Sequence, residues 1–220
     1  KHKCKIPDKL IYLPNPDKEF HEKWTKDRNK LNIPHPYRCV LAGPPNSGKT
    51  TIIKNILIRA DPPFEKVIVV HQDSDSTREY GDIDCDLRSD IPCTQDHEGD
   101  EKCLVIIDDI DFSGLGKNDL KNLDRLVGYD STHKNISVMI TSQTFTRLPP
   151  ICRRCTNLFI LWKVDDSDQI KLLSRRTGAD LQRIFDKCIK DKRDSIWVDN
   201  TENTPFPIRL NGFTLLKSKE

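Results

Sequence analysis

The sequence predicts an α/β fold, a mostly parallel β-sheet flanked by helices, and three observations lead there. From Tyr37 onward, short runs rich in Val, Ile and Leu alternate with polar segments of helical length. The runs are apolar almost throughout rather than at every second position, as strands buried on both faces require. The first run leads straight into a glycine-bearing turn and then a helix, the order in which a phosphate cradle is built.

The elements follow in order. Residues 1–36 carry "PNP", "PHP" and the amphipathic run "DKEFHEKWTKDRNKL", which reads as an N-terminal extension with a short helix ending before Pro34, packed on the outside of a domain spanning 37–220. Strands are expected at 37–42, 66–71, 103–108, 136–141 and 157–162. Helices are expected at 49–60, 117–129, 166–174 and 179–190. "SIWVD" and "FPIRL" near the C-terminus read as an antiparallel edge hairpin. Residues 72–101 look too polar for the core and too long for an ordinary connection, so they read as a flexible acidic insertion.

With 220 residues the chain can bury a substantial core. No apolar run approaches the roughly 20 residues of a membrane span, and the first residues lack the apolar stretch of a signal peptide. The eight cysteines are scattered, and the single CxxC, Cys152 and Cys155, has no second pair at zinc-ribbon spacing. Free thiols and a reducing, cytosol-like compartment are the expectation. The net charge is only +2, but residues 73–101 hold eleven Asp/Glu against two Arg. Outside that stretch 34 Lys/Arg face 23 Asp/Glu, a basic body suited to a polyanionic partner.

The chemistry begins at Gly43-Pro44-Pro45-Asn46-Ser47-Gly48-Lys49-Thr50, followed by Thr51, which fits G-x-x-x-x-G-K-[ST] at every fixed position. Gly43 is expected to permit the turn, and Gly48 to let the backbone approach phosphate oxygens. Backbone N–H groups and the helix N-terminus form an anion site. Lys49 is expected to neutralise the terminal phosphates, and Thr50 to put its hydroxyl on Mg²⁺. The run "CLVIIDDID" then delivers Asp108 and Asp109 at the end of an apolar strand, Asp108 as a metal carboxylate and Asp109 to orient an attacking water. Asp111 is expected to cap the helix near Lys117. "ISVMITSQ" ends in Gln143, whose amide can donate to phosphate and accept from water. "TRLPPICRRC" offers Arg153 and Arg154, with Arg147 behind them, as arginines able to reach a neighbouring subunit's γ-phosphate.

"GPPNSGKTT", "LVIIDDI", "ITSQTF" and "RLPPICRRCTNLFILWKV", in this order, resemble the genome-packaging ATPases of large eukaryotic DNA viruses and virophage-like elements, within the FtsK–HerA class of P-loop NTPases. The resemblance covers residues 37–176. It implies an additional-strand sheet, ATP and Mg²⁺ as cofactors, a homo-oligomeric ring of five or six subunits, and translocation of double-stranded DNA into a preformed capsid. It also implies a capsid or portal-vertex partner and a location in the virion or the viral factory of the host cytoplasm. Lys117, Lys121, Arg125, Arg175 and Arg176 are then candidates for gripping the DNA backbone, and the acidic stretch is a candidate mimic of DNA. A nucleoside or nucleotide kinase, an ATP-dependent helicase and a nucleotide-bound scaffold are alternative uses of the same cradle.

Overall fold

A computed structural model of the chain describes residues 28–29, 31–73, 78–97, 101–201 and 204–216. One nine-stranded sheet organises them: β1 (Arg38–Ala42), β2 (Lys66–His71), β3 (Asp86–Arg88), β4 (Cys103–Asp108), β5 (Ile136–Ser142), β6 (Leu158–Trp162), β7 (Ser195–Asp199), β8 (Ile208–Leu210) and β9 (Thr214–Leu215). The spatial order is β3-β2-β4-β5-β1-β6-β7-β8-β9. The first six in space are parallel and the last three antiparallel.

The helices are α1 (Lys49–Ile58), α2 (Lys117–Arg125), α3 (Pro150–Cys155), α4 (Ser167–Thr177) and α5 (Leu181–Cys188). Successive strand residues feed opposite faces of the sheet. Val40, Val105, Val138 and Phe159 pack with Leu123, Leu173 and Phe185 under α2, α4 and α5. Leu41, Ile106, Met139 and Ile160 pack with Ile53 and Ile56 of α1. Both faces are covered, which is why the strands read as continuous apolar runs.

The five apolar strands stand where the sequence puts them. The hairpin is also present as β7 and β8, extended by β9 across a turn in which Asn211 and Gly212 both take positive φ. Helix 117–129 is shorter than expected: α2 ends at Arg125 and passes into a π-helical turn over Leu126–Asp130. That turn seats Asp130 in the interior, where it accepts from the Thr94 hydroxyl at 2.8 Å. Asp111 caps a different element, the 3₁₀ turn Phe112–Gly114, by accepting from Ser113 N–H at 3.0 Å; Gly116 stands at the N-cap of α2.

Two expectations about the flanking segments are corrected. The reading of 72–101 as too polar for the core fails: β3 pairs with β2, Tyr80 is 2% exposed and Ile91 1% exposed. Backbone pairing and a few apolar anchors hold the described part down, while Asp82, Asp84, Asp86 and Asp90 stay exposed. In the N-terminal extension, 28–29 and 31–36 are not helical. The Asn29 carboxamide accepts from the N–H groups of Leu31 (2.9 Å) and Ile33 (3.1 Å), which diverts the chain into a turn. Leu31 and Ile33 pack into the core, and buried Arg209 donates to the Leu31 carbonyl. The rest of the expected helix lies outside the described residues.

Candidate nucleotide site

The carboxyl ends of β1, β4 and β5 meet at one cleft of about 650 Å³. It is lined by residues 45–52 together with His71, Glu79, Asp108, Asp109, Gln143 and Arg193. In an open parallel sheet this is the edge where ligands bind, because the strand ends splay their loops apart there.

The cradle follows β1. Gly43 N–H donates to the Ser142 carbonyl at 3.1 Å, tying the start of the loop to β5. The expectation for Gly43 is corrected: what the position requires is the absence of a side chain. A Cβ there would lie 2.8 Å from Trp162 Cβ and 2.9 Å from Trp162 Cε3. Gly48 does carry the unusual backbone, with φ of +100° at the N-terminus of α1. Asn46 also has a positive φ, at 58°. Ser47 is 3% exposed, and its hydroxyl has no partner among the described residues, a buried polar group inside the loop.

Lys49 folds back over the loop, donating to the Gly43 and Pro44 carbonyls, each at 2.9 Å. Burial pushes its ammonium pKa down, against the raising influence of Asp109, Asp108 and Glu79. Thr50 donates its hydroxyl to Glu79 Oε2 at 3.0 Å. Asp108 is 4% exposed with both oxygens engaged: Thr141 Oγ1 donates to Oδ1 at 2.6 Å and Tyr80 Oη donates to Oδ2 at 2.7 Å. Burial, then the neighbouring carboxylate, raises the Tyr80 phenol pKa far above its ordinary value, so it stays a proton donor.

Alternation along β4 would send the Asp109 side chain to the other face of the sheet. The chain avoids this by leaving the strand at Asp108 and giving Asp109 a φ of +50°. Asp109 is exposed, and Gln143 Nε2 donates to its Oδ1 at a long 3.4 Å. Its backbone N–H is held by Thr141 Oγ1 at 2.9 Å. Lys49, Thr50, Thr51, Asp108, Asp109 and Gln143 thus share one cleft.

Arg153 and Arg154 are not in it. They lie on α3, whose last residue, Cys155, accepts from Arg38 at the start of β1, the sheet edge opposite the cradle. Arg147 lines a second cleft that shares Asp109 and Gln143 with the first. Together with the Ser113 hydroxyl and N–H, which act most strongly, it holds the Asp111 carboxyl below the usual carboxylate range.

Sequence reasoning missed Glu79, Tyr80, His71, Thr141 and Arg193. The signal for the first two was present: Tyr80 is the one aromatic residue among the eleven carboxylates of 73–101. The described cysteines are all free, and no cluster of three or more His, Cys, Asp or Glu suited to a metal occurs among the described residues. No helix among them is long and apolar enough to cross a membrane.

No known family profile matches the sequence. Solved structures do. The genome packaging NTPase B204 from Sulfolobus turreted icosahedral virus 2, in complex with ATPγS, aligns with a TM-score of 0.56 and 16% identity over 82% of this chain and 98% of that one. The DNA-packaging ATPase B204 from Sulfolobus turreted icosahedral virus aligns with 0.56 and 16% over 80% and 97%. The pCW3 conjugation coupling protein TcpA, as a monomer with ATPγS, aligns with 0.53 and 18% over 88% and 67%. At these identities the likeness speaks for architecture alone: the chain shares the mostly parallel α/β fold of these three proteins.

Proposed function

We propose that the protein is an ATPase that drives double-stranded DNA, acting as a ring of five or six copies that packages a viral genome into a capsid. The observation that carries the ATPase reading is the convergence of Lys49, Thr50, Asp108, Asp109 and Gln143 on one cleft from three neighbouring strands. A binder needs the cradle alone; the Asp109–Gln143 pair adds groups that can orient a water. Motor and packaging functions are supported by the order of the sequence motifs and by the architecture shared with packaging ATPases.

The residues fit magnesium. Thr50 Oγ1 and the Asp108 carboxylate line the same cleft, and the unpartnered Ser47 hydroxyl sits within the cradle. Bound there, the ion supplies neutralisation of phosphate charge. The protein's own groups do the rest. Lys49 exchanges its two carbonyl partners for phosphate oxygens. Asp109 accepts a hydrogen bond from the attacking water, and Gln143 bridges that water and the terminal phosphate. Arg153 and Arg154, remote from their own cradle, would serve a neighbour's.

The exposed Lys117, Lys121, Arg125, Arg175 and Arg176 are offered for the DNA backbone, contacts that would be independent of sequence and sensitive to salt. Phosphate release measured with and without duplex DNA, across protein concentration, tests the proposal. A rate that rises with both supports it. Phosphorylation of an added nucleoside without DNA stimulation would favour a kinase instead.

A further inference from the structure

Two consecutive residues of the acidic segment touch both side chains assigned to the metal. Tyr80 is lodged in the core beside Ile53, Val69 and Ile106, and its hydroxyl donates to Asp108 Oδ2 at 2.7 Å. Tyr80 anchors the chain beside the cleft, and the carboxylate of the residue before it, Glu79, accepts the Thr50 hydroxyl at 3.0 Å. A hydroxyl can offer a lone pair to a cation while its hydrogen is held by an acceptor. An acceptor behind a ligand both aims it and makes it more basic. Three carboxylates, Glu79, Asp108 and Asp109, line a cleft meant for a polyanion, facing the cations Lys49 and Arg193.

From this juxtaposition we infer that Glu79 is a positioning residue of the magnesium site. It aims the Thr50 hydroxyl at the ion, and its charge makes nucleotide binding conditional on the ion. The stretch that reads as an acidic flap is then part of the nucleotide site. This inference rests on the assignment of Thr50 and Asp108 as metal ligands made above.

The two effects of Glu79 have opposite signs, which makes them separable from a loss of structure. The full chain is titrated with a fluorescent ribose-labelled ADP, once in EDTA and once against MgCl₂. In Glu79→Gln the negative charge near the phosphates is gone, so affinity in EDTA rises about threefold. The magnesium concentration for half-maximal enhancement of binding also rises, about tenfold. Glu79→Asp keeps the charge and shortens the reach, so it stays like wild type in EDTA and shifts only the magnesium requirement.

A Gln variant that matches wild type in both titrations, or that weakens in both, overturns the inference while leaving the ATPase reading intact. A wild-type chain whose ADP binding ignores magnesium overturns the metal assignment, and this inference with it.

Discussion

Thr141 Oγ1 donates to Asp108 Oδ1 at 2.6 Å and accepts the backbone N–H of Asp109 at 2.9 Å, so one hydroxyl sets both acidic residues at the end of β4. Thr141 is 1% exposed and belongs to the neighbouring strand β5, which makes the arrangement rigid. Thr141→Val keeps the shape and removes the hydroxyl. Leaving a buried polar partner unmet costs about 1–3 kcal/mol. Steady-state phosphate release is expected to fall about 5-fold to 150-fold by that measure, with Thr141→Ser close to wild type and metal-free ADP binding unchanged in both.

Gly43 and Trp162 give a second expectation. A methyl group at 43 would meet the Trp162 Cβ, an atom next to the backbone of β6 that cannot swing aside. Gly43→Ala should therefore displace the cradle, with a thermal unfolding midpoint several degrees lower for an overpacking cost of about 1–3 kcal/mol and weaker ADP binding. Trp162→Phe in the same chain, which leaves the Cβ in place, should restore little.

Arg153 and Arg154 lie at the sheet edge opposite their own cradle, so their contribution should depend on assembly. Arg154→Ala and Arg153→Ala are expected to bind ADP like wild type when dilute. The variant lacking the trans arginine should lose about 10³-fold in turnover at concentrations where wild type is fully active. Mixing it with Lys49→Ala, which supplies intact arginines but a dead cradle, should recover activity. No recovery for either arginine would leave Arg147, beside Asp109 and Gln143 in the second cleft, as the arginine to test next.

Stability should fall in mild acid. The His35 imidazole is pushed down to about 4, first by burial and then by Lys102. His97 is also pushed down to about 4, first by burial and then by Lys66. An unfolded histidine titrates near 6.5, so the unfolded chain takes up these protons first. The stability contributed by the two neutral rings is fully present above pH 6.5 and is lost as pH falls through 4. The slope is about 1.4 kcal/mol per pH unit for each ring. Urea midpoints at pH 7, 6 and 5 check this, and His97→Gln should remove about half of the slope.

How much of this was legible in the sequence depended on how each element is held. The five buried parallel strands announced themselves because Val, Ile and Leu fill both faces of their central residues, leaving few polar positions. β3, with the sequence Asp-Leu-Arg, gave no such signal. It is a short edge strand fixed by backbone pairing with β2, and Leu87 alone of its three side chains packs against the core. The cradle and the two aspartates were legible from spacing. Their supports were not, because Glu79, Tyr80 and Thr141 reach the cleft through tertiary contacts across about 30 residues of sequence. The role of Gly43 was misread for the same reason: its constraint is an indole more than 100 positions away. The turn at Asn29 defeated the helical pattern before Pro34 because its carboxamide competes for the N–H groups a helix would use.

Among the described residues the sheet is bounded by a three-residue strand on one side, β3, and a two-residue strand on the other, β9. Margins this short offer few unpaired N–H and C=O groups for a foreign strand to join, a common guard against edge-to-edge aggregation. Copies of this chain that come together would accordingly meet through helices, loops and charged side chains, whose contacts can loosen and re-form. A continuous backbone ladder, once zipped between neighbours, would not let go on each turn of a cycle.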